Sequence, residues 1–373
     1  MSVHFSRLQA LRQVMQRAGV DAYVVLSADP HLSEYLPPHY QGRAWLSGFK
    51  GSAGSIVVTA EFAGVWTDSR YWVQAADDLI GSGFELMRWG APDVPDMMEW
   101  VAQHLHPDQV IAYDGQVMAL AQSRAWHDLA QTHQLKLDES KDLLALIWPD
   151  RPPLPQSTIQ VHAAPFCQRS LEENVQSVRT AMQDLGASAH LLSSLDDIAW
   201  LLNLRGSDVM YNPVFMAHVL LTLDQVVLFV DPDKLSNEVQ DHLTQHAVSV
   251  LPYEQLALAL AALPHSTGLL VAPHAVTVGT LAAAPQVHLL EAPNPSTLAK
   301  ALKCPAEIQQ VRQTMEADGA ALCEFFAWFE HTIQQRPITE LEVDEQITAA
   351  RARQPHFISP SFGTIAAFGP NGA

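Results

Sequence analysis

Two imidazoles four residues apart are the pair in this sequence whose spacing comes nearest to metal chemistry. His242 and His246 lie in "VQDHLTQH", a stretch read as helix, where i and i+4 side chains share a face. No glutamate follows in HExxH fashion and no third ligand is close by, so a solvated helix face is the favoured reading. His104 and His106 flank Leu105 beside Pro107 and are read as loop residues. The paired acids Asp77-Asp78, Glu172-Glu173 and Asp196-Asp197 are adjacent, so their side chains diverge on a helix or strand instead of converging on one proton. Nothing beyond its being a cysteine argues that Cys167 is a nucleophile, and it reads as an inert thiol. GxSxG, Walker and GxGxxG patterns are absent from the sequence.

Two polar clusters stand out. "WTDSRYWVQA" places Asp68 two residues from Arg70 at the end of a strand, where they form either an ion pair or a substrate contact. "NLRGSDVMYNPVF" gathers Arg205, Ser207, Asp208 and Asn212 around glycine and proline in a segment too polar for a core. Such a loop either faces a ligand or is tied to its own domain.

The elements that must position these groups occur twice. "LRQVMQRAGVDAYVVLS" is matched by "VRTAMQDLGASAHLLSS", with Arg12, Met15, Gln16 and Gly19 answered by Arg179, Met182, Gln183 and Gly186. Each copy reads as helix, glycine stop and apolar strand. "WLSGFKGS" is answered by "WLLNLRGS", and the spacing from Thr59 to Asp68 equals that from Thr222 to Asp231. Two α/β domains of one fold are therefore predicted, the first opening with an amphipathic helix that carries Leu8, Leu11, Val14 and Met15 on one face. "WPDRPPLPQS" holds four prolines and reads as an extended connector. Ser170-Leu171-Glu172-Glu173 has capping-box spacing, and Pro305 suits the first turn of a long helix. In that helix Ile308, Val311, Met315, Leu322, Phe325, Phe326, Phe329 and Ile333 define a broad apolar face. A second helix capped at Thr339 runs to about Gln354, Thr364 to Phe368 reads as a strand, and "GPNG" reads as a reversing turn. These last elements expose more apolar surface than they can cover among themselves, which implies further chain or a partner.

The bulk numbers bound the function. A length of 373 residues favours more than one domain, and 48% apolar residues is ordinary for a folded protein. Twenty-one Lys and Arg against 40 Asp and Glu give a net charge of −19, which repels nucleic acid and anionic membrane surfaces. Three cysteines without paired spacing fit a reducing cytoplasm, and no apolar run is long enough to span a bilayer.

Taken together, "WLSGFKGSAGSIVVTAEFAGVWTDSRYWVQA", "RPPLP", "IAWLLNLRGSDVMYNPVF", "KALKCPAEIQQVR" and "SFGTIAAFGPNGA" resemble the three-domain Xaa-Pro aminopeptidases, or aminopeptidase P, from about Leu8 to Ala373. The resemblance implies two creatinase-like α/β domains, 1–153 and 154–303, followed by an incomplete α+β pita-bread domain, 304–373. It also implies two divalent metal ions, usually manganese, that activate water against the bond before a penultimate proline. Their ligands lie, in that family, beyond the motif written here as "GPNGA", so the chain is expected to be a truncated, non-catalytic N-terminal portion. Proline-containing peptides and a homodimer are the implied partners. Asp68, Arg70, Arg205, Asp208 and Asn212 become candidates for the rim of the active site or a domain interface, and Phe362, Thr364 and Asn371 for the wall of the catalytic pocket. Lys50 departs from the pattern, since relatives often carry an acid in that loop, which weakens a role for it in holding a substrate's amino terminus. The rival class is a non-catalytic binding or dimerisation module built from paired creatinase-like domains.

Overall fold

The computed structural model describes residues 2–372. Its first sheet is formed by β1 (Ala22–Val25), β2 (Ser55–Thr59), β3 (Ala63–Thr67), β4 (Glu85–Arg88), β5 (Val110–Ala112) and β6 (Lys136–Asp138), in the order β4-β3-β2-β1-β5-β6. A two-stranded ribbon pairs β7 (Gln160–Val161) with β9 (Leu204–Arg205). The second sheet contains β8 (Ala189–Leu192), β10 (His218–Thr222), β11 (Val226–Phe229), β12 (Val248–Leu251), β13 (Gly268–Val271) and β14 (His288–Glu291), in the order β12-β11-β10-β8-β13-β14. Counting strands within each copy, both sheets run 4-3-2-1-5-6, with an antiparallel centre and parallel flanks.

The repeated residues explain why the copies coincide. Gly19 and Gly186 end their helices at φ 68° and 71°, values that suit a residue without a Cβ. The next turn is closed by Val20 N to Met15 O and by Ala187 N to Met182 O. Arg12 Nε donates to Thr59 O at 3.0 Å, and Arg179 Nε donates to Thr222 O at 2.9 Å, so each arginine ties its helix to the end of the second strand. At the far end of the hairpin, Asp68 and Asp231 each cap a short 3-10 turn through a backbone amide two residues on. Leu8, Leu11, Val14 and Met15 are buried, as their spacing requires. Each sheet is packed between two apolar layers, one on either face.

The connector is laid along the protein surface. Trp148 stacks on Trp45 with centroids 4.7 Å apart, and Arg151 donates to His39 O and to Asp142, both at 2.8 Å. Ser170 and Glu173 form the expected capping box. Helices Pro305–Ile333 and Glu340–Ala352 form an antiparallel pair around Ala321, Phe325, Ile347 and Ala350. Leu322 and Phe329 pack against that cluster, whereas Ile308, Val311, Met315, Phe326 and Ile333 are exposed.

Two sequence readings are corrected. Thr364–Phe368 is not a strand: no neighbouring strand pairs with it among the described residues, Ile365 and Phe368 are exposed, and a 3-10 turn follows at Gly369–Asn371. A single extended segment without a ladder partner has no hydrogen bonds with which to become a strand. His104 is the last residue of helix Met97–His104, stacked 4.1 Å from Trp100, and so is not in a loop.

Candidate functional site

The second polar cluster is split by the fold. Arg205 and Asn212 line a cleft of about 590 Å³. Its other walls are the first domain's His31–Glu34 loop, the start of helix Leu195–Leu201, His274, and the segment from Lys300 to Glu307. Asp208 is instead buried behind the loop, paired with Lys234 at 2.6 Å, both side chains being almost wholly inaccessible. Its carboxylate also accepts from Met216 N at 2.7 Å and from the Ser157 hydroxyl, so it fastens connector, loop and sheet together. A buried carboxylate satisfied by a buried ammonium and a backbone amide is a structural tie, so of the two places expected for Asp208, the rim or a domain interface, its interior position disfavours the first.

Asp68 and Arg70 form an ion pair, one of the two alternatives expected for them. Arg70 Nε and Nη2 grip the two Asp68 oxygens at 2.8 and 2.9 Å, at an exposed position outside the cleft. The Asp68 carboxyl is held below the usual range chiefly by that side-chain hydrogen bond. The residue three positions past each capping aspartate reaches back to its Gly-Ser loop: Tyr71 OH meets Ser52 Oγ at 2.6 Å, and Lys234 meets Asp208.

Inside the cleft Arg205, Lys300 and Glu307 are already engaged. Arg205 Nη1 donates to Ala199 O and Leu204 O at 2.9 and 2.8 Å, and burial lowers its pKa. Burial works against the Lys300 ammonium, but hydrogen bonds and charge from Asp196 and Asp197 more than reverse this and leave its pKa raised. Glu307 accepts from Cys304 N at 2.8 Å and caps the long helix. The terminal segment reaches the same loop: a Cβ built on Gly363 would lie 3.2 Å from the Tyr211 hydroxyl, and Tyr211 meets Tyr35 edge-on at 5.8 Å. Phe362 is exposed, Thr364 is half-buried in this unpaired segment, and Asn371 donates to Glu340 at 2.8 Å.

Metal ligation does not fit the side chains present. Among the described residues no group of three or more His, Cys, Asp or Glu is placed to hold an ion. His242 Nε2 donates to Leu202 O at 3.0 Å, and His246 is paired with Glu172, so both imidazoles serve the helix packing. Cys167 Sγ contacts His162 O at 2.9 Å, and burial pushes its thiol up, away from reactivity. The cleft presents a mixed polar wall that includes Glu34, Arg205, Asn212, Lys303 and Glu307.

Sequence reasoning missed a second constellation. His31 from the first domain meets His218 and Tyr253 of the second in a buried cluster, with imidazole centroids 4.5 Å apart. The three residues are separated by 187 and 35 positions, and a lone histidine carries no local signal of such a partner.

Residues 7–145 and 150–307 each match a Creatinase/Prolidase N-terminal domain family, and residues 309–373 match metallopeptidase family M24. The Probable Xaa-Pro aminopeptidase P of Aspergillus niger is 35% identical over 380 residues, covering 98% of this chain and 62% of its own length. The corresponding Neurospora crassa protein is 36% identical over 383 residues, with 98% of this chain and 56% of the relative covered. The X-prolyl aminopeptidase of Caenorhabditis elegans, described as a cytosolic enzyme with a di-nuclear active site, superposes with a TM-score of 0.92. It shows 27% identity over 98% of this chain and 62% of that one. The chain thus spans about three fifths of the length of these relatives. By its domains the chain consists of two creatinase/prolidase-type N-terminal domains followed by the start of a metallopeptidase family M24 domain, and along its length it is similar to proteins named Xaa-Pro aminopeptidase P.

Proposed function

We propose that this chain is the N-terminal portion of a metallo-aminopeptidase that removes the first residue of peptides carrying proline in second position. The observation that carries the reading is the match through 98% of the chain, in one domain order, to proteins named for that activity. The reading includes a cytoplasmic setting, a homodimeric full-length form and two divalent ions, of which manganese is the proposed metal. The two creatinase-like domains act as scaffold, and the cleft lined by Arg205 and Asn212 faces the peptide or the catalytic domain. The ions would polarise the scissile carbonyl and generate hydroxide near neutral pH. No residue described here fits as their ligand, so no step of that chemistry is assigned to this chain.

The test is hydrolysis of an Arg-Pro-Pro peptide by the purified 373-residue chain with added manganese, beside a version extended through the whole M24 domain. The extended protein is expected to release arginine and the 373-residue chain to release none. Turnover by the shorter chain would overturn the scaffold assignment, and inactivity of both would overturn the peptidase reading. A second reading, a binding or dimerisation module without chemistry, draws on the engagement of Arg205, Lys300 and Glu307 in the cleft. It predicts that the extended protein is also inactive.

A further inference from the structure

Besides the exposed Arg124–Glu291 ion pair, the joint between the first two domains contains two unlike contacts. One is a backbone ladder: Leu120 N donates to Val276 O, Ala121 N to Pro273 O and Val278 N to Met118 O, all within 2.9–3.0 Å. Nothing in it titrates. The other is built from side chains around Ser193. His31 Nδ1 lies 2.8 Å from Ser193 O, and a carbonyl can only accept, so Nδ1 carries the proton. His31 Nε2, left as acceptor when the ring is neutral, takes the Tyr253 hydroxyl hydrogen at 2.9 Å. The Tyr253 oxygen then accepts from His218 Nε2 at 3.1 Å, and His218 Nδ1 accepts from Ser193 Oγ at 2.9 Å. Four hydrogen bonds thus form a closed circuit that starts and ends on Ser193, and its direction is fixed by the carbonyl.

This circuit has room for no additional proton. Charging His31 puts a second N–H against Tyr253, so the Tyr253 hydroxyl must donate to His218 Nε2, His218 must shift its proton to Nδ1, and the Ser193 hydroxyl hydrogen loses its acceptor in the ring. Charging His218 turns Nδ1 into a donor facing Ser193 Oγ and displaces that hydroxyl's hydrogen in the same way. Both imidazoles are almost completely buried. We propose that the His31–Tyr253–His218–Ser193 circuit is an acid-released latch between the two creatinase-like domains, holding the Asp29–Glu34 loop that walls the Arg205 and Asn212 cleft.

The surrounding charges support this direction. Asp29 on the same loop and Asp208 from the second domain favour a charged His31, and Lys234 opposes it. Burial outweighs them and keeps the His31 pKa below the ordinary range. Burial followed by the His31 charge depresses His218 further, and burial raises the Tyr253 hydroxyl well above its usual value. A cavity of about 300 Å³ adjoins His218 and Tyr253. Asp114, Asp142, Arg151 and His39 face it from the first domain, and Glu254 from the second. Arg151 is already paired with Asp142. The loop itself carries a readable marker, because Leu32 N bonds to Asp29 O at 3.0 Å, and His31 N and Ser33 N bond to Asp29 Oδ1 at 2.9 and 3.0 Å.

The experiment is amide hydrogen exchange of the 373-residue chain at pH 7.5 and pH 5, corrected for the intrinsic rate. Each histidine neutral when latched and charged when released changes the opening equilibrium by about 30-fold over that interval. Protection at Leu32 and Ser33 is expected to fall at least about tenfold more than at Leu120 and Val278 of the ladder. Loop and ladder changing together, within about threefold, would overturn the latch. In His218→Gln one titrating group is lost, and the pH response of the loop is expected to drop toward that of a single proton; an unchanged response overturns the proposal. Imidazole nitrogen NMR of the unmodified chain gives a readout that needs no variant. Both rings are expected to gain charge only as loop protection is lost, and charging with protection intact refutes the latch.

Discussion

Replacing Lys234 by methionine isolates the buried tie that fixes the polar loop. Methionine keeps most of the apolar stem but removes the ammonium, leaving the Asp208 carboxylate with Met216 N and Ser157 as its remaining donors. Removing one partner of a buried ion pair costs about 3–5 kcal/mol, and the surviving donors place this case near about 3 kcal/mol. For a unit of roughly 150 residues each kcal/mol moves the melting midpoint by about 2–4 °C, so the midpoint attributable to the second domain should fall by about 6–12 °C. Differential scanning calorimetry at pH 7 reads this directly. Adding Asp208→Asn to Lys234→Met removes the stranded charge while retaining an acceptor for Met216, and should recover part of the loss. A single-variant shift below about 3 °C would refute the assignment, because it would mean that water reaches the pair and screens it. Arg70→Ala serves as the contrast: its exposed ion pair with Asp68 should leave the midpoint unchanged.

The pH dependence should contain two opposing components. Burial raises the Asp114 carboxyl to about 6, so the folded protein holds a proton that the unfolded chain has released, and stability falls as pH rises from about 4 to 6. Asp114→Asn, which keeps an acceptor for Gln116 N, should abolish that fall and add up to about 3 kcal/mol at pH 7 in urea unfolding. The two latch histidines act the other way: their folded pKa values are depressed, so their contribution is complete above about pH 6.5 and is lost on acidification. The exposed face of helix Pro305–Ile333 should bind an apolar dye or drive self-association, and Met315→Glu with Phe326→Glu should reduce both signals. Unaltered fluorescence and sedimentation in that double variant would place the sticky surface elsewhere.

The duplicated half was legible because each copy repeats short-range geometry: a helix stop at glycine, an arginine reaching a strand-end carbonyl, and an aspartate capping a turn. Such features depend on neighbours within a few dozen residues and leave a spacing in the chain. The Asp68 and Arg70 pair was legible only as two alternatives, since two residues apart they reach each other as easily as a ligand. Asp208 was legible only as a rim or a domain-interface residue, because polarity signals a ligand and a buried tie in the same letters. Its partner Lys234 lies 26 positions away, in the turn after β11. Thr364 to Phe368 has strand composition, but strand formation requires a neighbour, and composition cannot supply one. The His31 cluster left no trace at all, because tertiary folding alone brings its parts together.

The connector between the first two domains has a mechanical consequence. Trp148 and Arg151 clamp its beginning to the first domain, and His39 grips the Pro152 carbonyl at 2.6 Å, while Ser157 and Ile159 are bonded to Asp208 and to Lys234 O of the second. Gln156 also donates to Asp231, so only Pro153 to Pro155 is left between the two anchorages, and two of those three residues are prolines with little torsional freedom. The domains therefore share a stiff hinge pin in place of a tether. Any swing that follows release of the histidines must turn about both that short span and the backbone ladder at Leu120 and Val278, with the travel of the loop set by its distance from that axis.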